Sequence, residues 1–413
     1  MNEYGEALAY LYADAEAAKI RYSNAVKEFE RRFGTGREII FVSAPGRTEI
    51  GGNHTDHQRG SVLAAAVDLD MICVVSPKDE PEIRIESEGY RPEIIDLKDL
   101  SPRPDEYGRA SALIRGVAAG FRRGGYEIGG LDAYTVSLVK GGSGLSSSAA
   151  FEVATGNMLS HLYNGGAVTP ERIAMIGQYA ENEYVGKPSG LMDQMASSVG
   201  GFVRMDFADP DNPVIEPVKF DLEASGYALC VTDTKSSHSD LNAEYAAITV
   251  EMGAVAEYFG KRFLSEVCER DFYGAIPHLR AKAGDRAVLR AIHFFDEDAR
   301  VKKQAAALES GDIKEFLRLV NRSGDSSFKC LQNIYAEPRE QSLSLALALS
   351  GRVLADAGGA WRVHGGGFAG TVQAYVPHGV LSEYRAVMDG VFGEGACRAL
   401  RVRPAGGVKL WRS

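Results

Sequence analysis

The chain has little of what would cross-link it, anchor it in a membrane or bind it to nucleic acid. Its 413 residues contain only five cysteines, which are scattered, odd in number and without a CxxC spacing. Such a set indicates neither a disulfide framework nor a zinc site, and it is typical of a reducing compartment. The sequence shows no apolar run long enough to span a bilayer and no charged-then-apolar leader pattern. We therefore expect a cytoplasmic protein with no membrane partner.

Positive charge is also in short supply. Lys and Arg number 46 against 56 Asp and Glu, which gives a formal net charge of −10. General nucleic-acid binding needs a basic face, so this balance argues against it, although loop amides and a metal ion can still hold the phosphates of a nucleotide. With 45% apolar and 25% charged residues, the composition is that of an ordinary globular protein of two or three domains.

The most informative segment, 44–57, is polar and rich in glycine, and it ends in His-Thr-Asp-His. Arg47 offers five donors in a rigid fork for phosphate or carboxylate, and Asp and His side chains can bind hydroxyl groups. Because the segment follows an apolar, strand-like run at 39–42, we expect a loop at the end of a strand that binds a small polar ligand. An ordinary polar turn between strands is the alternative.

A glycine-serine segment, 141–150, follows a β-prone run at 134–139 and precedes apolar residues at helical spacing. Strand, glycine-serine loop and helix is the arrangement in which backbone N–H groups and a helix N-terminus hold phosphates. It is not a Walker loop, because no Gly-Lys-Ser/Thr follows the glycines, and a flexible linker is the alternative. A third glycine run, 363–370, lies between two β-prone runs and by itself is equally well explained as a hairpin.

Periodicity and turn residues predict the main elements. We expect an amphipathic helix over the first thirty or so residues, ending near Gly34, and a helix that Thr169 caps with Pro170 at its first position. A markedly helical stretch is expected from the early 230s to about residue 356. Strands are expected at 69–75, 83–85, 202–207, 227–232, 361–363, 371–376 and 399–402. These elements argue for an α+β protein of layered domains.

The three segments together resemble the characteristic motifs of the GHMP small-molecule kinases, in motif order and over nearly the whole chain. The first is similar to the galactokinase signature Gly-Arg-x-Asn-x-Ile-Gly-Glu-His-Thr-Asp-Tyr. The resemblance implies an α+β fold of two domains, ribosomal-S5-like over residues 1–213 and ferredoxin-like over residues 214–413, with the site in the cleft between them. The turn-rich polar stretch 209–213 is the boundary that the residues themselves indicate.

The same resemblance implies an ATP-dependent sugar 1-kinase that uses Mg²⁺, most simply a galactokinase. It makes Asp193 of the Gly-x-Met-Asp-Gln motif the catalytic base and Arg47 its cationic partner, while Ser147 and Glu181 hold the metal. The residues that match the ATP-binding loop are Gly142, Ser143, Gly144, Leu145, Ser146, Ser147, Ser148 and Ala149. The residues that match the sugar-binding positions are Asn53, His54, Asp56, Gly190 and Tyr245. Without the resemblance, Asp193 is equally well explained as a helix cap and Glu181 as a solvated helix carboxylate.

Departures from the galactokinase pattern concern the sugar pocket more than the phosphate machinery. Glu49 replaces the signature Asn, Asn53 replaces its Glu, Lys140 replaces a proline of the second motif, and Ile248-Thr249 replaces an arginine pair. In galactokinases the Glu is expected to bind the C6 hydroxyl of galactose, whereas Asn removes the charge and adds a donor. Plant galacturonate kinases resemble the chain here, with His-x-Asp-His-Gln as at 54–58. Galacturonate is therefore an alternative substrate, against the simpler expectation that Asn53 bonds the same hydroxyl.

Two further alternatives belong to other functional classes. A catalytically silent sugar sensor would be favoured by an eroded phosphate loop or a lost Asp193, but both are intact. A kinase for mevalonate or homoserine is disfavoured by the His-Thr-Asp run at 54–56, which suits vicinal hydroxyls. We expect a small-molecule sugar and ATP as partners, no nucleic acid, and a monomer or weak homo-oligomer.

Overall fold

Helices packed against two β-sheets form the fold, which a computed structural model describes over residues 2–141, 144–187, 189–209, 212–236 and 241–412. The helices are α1 (Asn2–Leu11), α2 (Ala15–Phe33), α3 (Ala110–Arg123), α4 (Ser147–Tyr163), α5 (Pro170–Ala180), α6 (Met192–Val199), α7 (Asn242–Tyr258), α8 (Glu269–Ala283), α9 (Asp285–Glu309), α10 (Ile313–Ser326), α11 (Ser342–Leu354) and α12 (Leu381–Phe392). The strands are β1 (Ile40–Gly51), β2 (Ser61–Lys78), β3 (Glu82–Ser87), β4 (Glu93–Asp96), β5 (Gly130–Ser137), β6 (Phe202–Asp206), β7 (Val214–Val218), β8 (Tyr227–Asp233), β9 (Ala360–His364), β10 (Thr371–Pro377), β11 (Cys397–Leu400) and β12 (Val408–Arg412). Within the described residues, no helix combines the length and the apolar character needed to traverse a bilayer.

The larger sheet has the strand order β12-β1-β2-β5-β3-β4, and β6 and β7 extend it from the first part of β2. β2 is long enough to pair with β6 through its first residues and with β5 through its last ones. Helices α3, α4 and α5 cover one face of this sheet, and α1 and α2 cover the other. Because helices cover both faces of the sheet, β1 is buried along its whole length.

The smaller sheet has the antiparallel order β11-β8-β10-β9. In chain order its strands lie 4-1-3-2, with α7 to α11 between the first two strands and α12 between the last two. This is the β-α-β-β-α-β topology of ferredoxin-like domains, as the resemblance implies. The predicted strands are confirmed, except that β6 ends at Asp206, one residue early, and β11 spans Cys397–Leu400 in place of 399–402.

The N-terminal helical region differs from its prediction, because two helices replace the single helix that was expected. The break falls at residues 12–14, where the buried Tyr12 turns inward and donates its hydroxyl to Asp70. Asp14 then caps α2 by accepting a hydrogen bond from the Ala17 amide at 2.9 Å. The predicted end is confirmed, since Gly34 follows α2 with a φ of 90°. The predicted Thr169-Pro170 cap is also confirmed, at α5.

The expectation of a loop at residues 44–57 is wrong for its first half, because β1 continues through the segment as far as Gly51. Its residues pair with the small side chains of Ala64, Ala65 and Ala66 on β2. The register shifts once after Pro45 and again after Glu49, and these irregularities accommodate the proline and turn the strand. The polar residues Arg47, Thr48 and Glu49 are therefore held in a buried strand and not in a flexible turn.

The predicted boundary at residue 213 does not coincide with a change of sheet. β7 begins at Val214 and pairs with β6, and β12 at the C-terminal end pairs with β1, so both belong to the larger sheet. Part of the turn-rich stretch, residues 210 and 211, lies outside the described residues. The division into 1–213 and 214–413 therefore stays a prediction.

A buried charge cluster fastens both ends of the chain to the larger sheet. Asp70 of β2 is fully buried and is paired with Arg21 of α2 and with Arg403, which precedes β12. Tyr12 and Ser43 donate hydroxyl hydrogen bonds to the same carboxylate. Burial opposes its ionisation, but the two guanidinium groups outweigh burial and hold the pKa of Asp70 below its ordinary value.

Replacing Asp70 with Ala should lower the free energy of unfolding by about 3–5 kcal/mol, because it leaves two buried cations unpaired. Since the folded-state pKa is lowered, this stabilisation is present above the unfolded-state value of about 3.9 and is lost as the pH falls through the folded-state value. Urea denaturation at pH 7 and at lower pH measures both effects. Asp285→Ala is the control, because its ion pair with Arg280 is exposed and should contribute little. Equal stability of the two variants at pH 7 would contradict this account.

Candidate active site

Arg47 brings three distant segments of the chain together. Its Nε and Nη2 each lie 2.6 Å from a different carboxylate oxygen of Asp193, which forms a bidentate ion pair between β1 and α6. Its Nη1 donates to the Gly144 carbonyl at 2.6 Å, in the loop before α4. The Arg47 backbone amide also donates to the Leu145 carbonyl at 3.0 Å. One guanidinium thus fixes the predicted catalytic carboxylate against the predicted phosphate loop.

Asp193 is the second residue of α6, where a negative charge is favoured by the helix N-terminus. Burial disfavours its ionised form, but Arg47 overcomes this and, with a hydrogen bond from Ser146, holds the pKa of Asp193 below its ordinary value. The carboxylate is therefore ionised at neutral pH. Helix α6 is held to β1 by the Ser197 hydroxyl, which donates to the Pro45 carbonyl at 2.6 Å.

The loop before α4 has the backbone geometry of an anion-binding turn. Ser146 adopts a left-handed conformation with a φ of 56°, and α4 begins at the next residue. Gly144 has a φ of 75°, and an added Cβ would lie 2.8 Å from the Thr371 hydroxyl, so the position requires glycine. Leu145 and Ala149 are buried and anchor the turn, whereas Gly142 and Ser143 lie outside the described residues. The loop amides and the α4 N-terminus can hold phosphate groups.

Glu181 opens a π-helical turn after α5, and its carboxylate is almost fully buried. It accepts hydrogen bonds from the Lys187 ammonium at 2.9 Å, the Gln194 amide at 2.9 Å and the Ser148 hydroxyl at 3.3 Å. The loop hydroxyl in contact with Glu181 is thus that of Ser148, the neighbour of the predicted metal ligand Ser147. Assignment of the metal to Ser147 and Glu181 stays a prediction.

A second buried carboxyl group lies beside Glu181. Glu152 of α4 is fully buried, and burial together with the nearby Glu181 raises the pKa of Glu152 well above its ordinary value. The Gln194 amide nitrogen donates to both acids, at 2.9 Å in each case. Gln194, next to Asp193 on α6, therefore spaces the two carboxyl groups and orients Glu181.

A cavity of about 200 Å³ opens beside Asp193, and most of the predicted sugar-binding residues line it. Asp56 is one of them, and its carboxylate accepts a hydrogen bond from the His57 amide at 2.9 Å. Gly190 also lines the cavity and packs directly against Asp56, since a Cβ there would lie 2.3 Å from the Asp56 Oδ2. Asp56 and Asp193 thus face one small polar space.

His54 and Tyr245 both contact the third glycine run. The His54 Nε2–H donates to the Gly366 carbonyl at 2.9 Å, and burial lowers the pKa of His54 to about 4, so the ring is neutral. The Tyr245 hydroxyl donates to the Gly367 carbonyl at 2.7 Å, and its ring packs against Gly366. His54 lines the cavity, whereas Tyr245 supports the glycine run from α7. A direct contact between Tyr245 and the sugar stays a prediction.

Asn53 lies at the floor of the cavity and is only 1% exposed. Its amide donates to the Glu49 carboxylate at 3.1 Å and to the Gly365 carbonyl at 2.7 Å. Its carbonyl accepts a hydrogen bond from the Asn333 amide at 2.8 Å. Glu49 is in turn paired with the fully buried Arg362 of β9 at 2.6 Å. The amide of Asn53 is thus fully used within the protein.

Several residues of this site were not predicted. Gln194 and Lys187 belong to the segment around Asp193, but nothing in their spacing distinguishes a ligand-orienting side chain from a surface one. His364 begins the third glycine run and bridges the hydroxyls of Thr48 and Thr371 at 3.0 and 2.8 Å. Burial lowers the pKa of His364 to about 3, so it links the two sheets as a neutral ring. Its position at the start of the glycine run was the available signal.

The sequence is similar to those of known sugar kinases. Residues 27–77 match the galactokinase galactose-binding signature, and residues 112–201 match the N-terminal domain of GHMP kinases. A galactokinase from Streptomyces coelicolor (strain ATCC BAA-471 / A3(2) / M145) is 32% identical over 378 residues, which cover 91% of this chain and 94% of that protein.

Solved structures give the same fold. Lactococcus lactis galactokinase complexed with galactose has a TM-score of 0.80 at 22% identity, covering 94% of this chain and 99% of that one. Methanococcus jannaschii mevalonate kinase has a TM-score of 0.62 at 16% identity, covering 89% and 99% of the two chains. These likenesses confirm the predicted α+β, two-domain GHMP kinase fold.

Proposed function

The chain belongs to the galactokinase family, and on this premise we propose that it transfers the γ-phosphoryl group of ATP to the 1-hydroxyl of galactose. The observation that carries the proposal is the convergence of Arg47, Asp193 and Gly144 beside a small polar cavity. Phosphoryl transfer needs a positioned acceptor, a phosphate cradle and compensation of the charge that spreads over the transferred group. Within one hydrogen-bonded cluster, Asp193 can orient the acceptor hydroxyl, the loop at Gly144 can hold phosphate and Arg47 can compensate the charge.

The proposed reaction forms one bond and breaks another. The sugar O1 gives its proton to Asp193 and forms a bond to the γ-phosphorus, while the bond from that phosphorus to the β-bridging oxygen breaks and ADP leaves. Arg47 stabilises the negative charge on the equatorial oxygens. The lowered pKa makes Asp193 a weak base, which suits a loose transition state in which the proton leaves late.

The residues around Glu181 fit a magnesium ion. Mg²⁺ prefers hard oxygen ligands and is commonly bound by one or two protein groups besides phosphates and water. The Glu181 carboxylate and the Ser148 hydroxyl in contact with it would offer such oxygen ligands, with Ser147 next in the chain as the other candidate, and Lys187 balances the acid. When bound with ATP, the ion would neutralise charge on the β- and γ-phosphates.

Galacturonate finds less support as the substrate than galactose. That alternative relied on an Asn53 amide that donates to a sugar carboxylate, but the donors of this amide are used by Glu49 and the Gly365 carbonyl. The cations that line the cavity, Arg47 and Lys187, are already paired with Asp193 and Glu181, so burying a ligand carboxylate there is costly. A silent sugar sensor is disfavoured by the position of Asp193 in the wall of the cavity, where its carboxylate can accept the proton of a sugar hydroxyl.

Asp193→Asn should lower kcat by about 10²–10⁴, because it removes the proton acceptor. Galactose binding, measured by isothermal titration calorimetry, should change little. Asp56→Asn is the comparison variant, since it alters a sugar-binding wall and should raise KM more than it lowers kcat. Turnover of Asp193→Asn within a few-fold of the parent would remove Asp193 from the role of base and leave catalysis to positioning and Arg47.

Glu181→Gln should raise the Mg²⁺ concentration for half-maximal activity by about tenfold or more, the range seen when metal-site residues are altered. Rates at saturating ATP and galactose are measured across a Mg²⁺ titration, together with the Mg²⁺-dependent thermal shift in ADP. Glu183→Gln is the matched control, because Glu183 is exposed in the same π-helical turn. Superimposable titrations of the parent and Glu181→Gln would reassign Glu181 to a structural role.

Gly190→Ala should raise the KM for galactose by about 10–100-fold, which corresponds to the loss of a hydrogen bond to a charged group. The added methyl would displace the Asp56 carboxylate, whose Oδ2 lies 2.3 Å from the Cβ position. Gly379→Ala is the control, because its Cβ would meet nothing within 4 Å. An unchanged KM would show that Asp56 does not contact the sugar.

A further inference from the structure

The acid and the amide of the galactokinase signature have exchanged places in this chain. The signature has Asn after Gly-Arg-x and Glu before His, whereas the chain has Glu49 and Asn53 at these two positions. The sequence presents them as two separate departures, four residues apart. In the structure they are one contact, since the Asn53 Nδ2 lies 3.1 and 3.3 Å from the two Glu49 carboxylate oxygens.

Asn53 is the connecting member of this pair. Its two N–H groups are used by Glu49 and Gly365, and its carbonyl accepts from Asn333 and Ser327, at 2.8 and 3.4 Å. Its backbone carbonyl accepts from the His293 Nε2 at 2.9 Å, so α9 fixes it from behind. A primary amide has two donors and one carbonyl oxygen, and here each has a partner.

Glu49 is the charged member and is fixed from the other side. Arg362 donates to its Oε1 at 2.6 Å and to the Ile50 carbonyl at 2.7 Å, and the guanidinium is fully buried. Glu49 is 4% exposed and lines the same cavity as Asp56 and Asp193. The carboxylate that Asn53 lacks therefore lies in the cavity, one contact away, with Arg362 balancing its charge.

We propose that Glu49 and Asn53 act as one unit, in which Glu49 carries the carboxylate that the signature has at position 53 and is the specificity-determining residue for the sugar. The inference rests on the proposed galactose kinase function and concerns which sugar the kinase selects. A floor formed by the Glu49 carboxylate without a free amide donor favours a neutral hexose over a hexuronate, whose carboxylate would lose its water beside cations, Arg47 and Lys187, that are already paired.

Exchange of the two residues tests the unit. Asn53→Glu alone places two buried carboxyl groups in contact, and Glu49→Asn alone leaves Arg362 without its counter-charge, so each should lower kcat/KM for galactose by about 100-fold or more. The double exchange E49N/N53E restores one acid and one amide and should recover activity to within about tenfold of the parent. If kcat/KM of the double variant for galactose is no higher than that of the less active single variant, Glu49 and Asn53 do not act as one unit.

Glu49→Gln tests the charge itself, because glutamine keeps the shape and an oxygen acceptor for Arg362. The ratio of kcat/KM for galacturonate to that for galactose should rise by about tenfold or more, a change that a purely structural residue would not cause. An unchanged ratio, or a parent enzyme that prefers galacturonate, overturns the assignment of Glu49.

Failure of the inference can be separated from failure of the proposed function. If the parent protein forms ADP with none of the sugars tested, the kinase proposal fails. The coupling between Glu49 and Asn53 can then still be measured in the parent, the two single variants and the double variant, by galactose titration calorimetry and by their thermal unfolding midpoints. Additive effects in both measurements would overturn the unit independently of turnover.

Discussion

The bidentate pair of Arg47 and Asp193 is the interaction on which the site depends. It joins β1 to α6, and the same guanidinium holds the Gly144 carbonyl of the loop before α4. Gly144 and Asp193 lie 97 and 146 residues after Arg47 in sequence, so no local propensity could align them with it. Because a guanidinium presents its donors in a rigid plane, one side chain sets the distance between carboxylate and loop and their relative orientation.

The same constraint extends to the second sheet through buried polar contacts at the end of β1. Arg362 binds Glu49, His364 bonds to Thr48, and the Gln373 amide donates to Thr48 at 2.7 Å. A buried polar network of this kind stabilises only when its groups are paired, and then it fixes one geometry. The cavity floor is thus continuous with the contact between the two sheets, which explains how residues from β9 and α9 can influence a pocket lined by β1, the turn after it and the segment that leads into α6.

The sequence predicted the fold well where a residue type has one physical use. Thr169 and Pro170 cap a helix, Gly34 follows the end of another, and β-prone apolar runs form strands. The prediction of secondary structure failed at the end of β1, because a polar, glycine-rich segment resembles a loop unless the strands beside it are known. There the strand persists because small alanines of β2 and two register shifts accommodate it. Such tertiary compensation leaves no mark in the segment itself.

For the site, the sequence predicted identities better than contacts. Arg47, Asp193, Asp56 and Gly190 do converge, as the motifs implied. The substitutions at Glu49 and Asn53 were visible as separate departures, but their mutual contact depends on how β1 ends and how Asn53 turns away from it. Asn53 considered alone suggests that a carboxylate has been lost. Its contact with Glu49 indicates instead that the carboxylate has moved to position 49. Substrate selectivity therefore has to be argued from contacts between substituted positions, since a motif comparison counts each departure independently and misses those that offset one another.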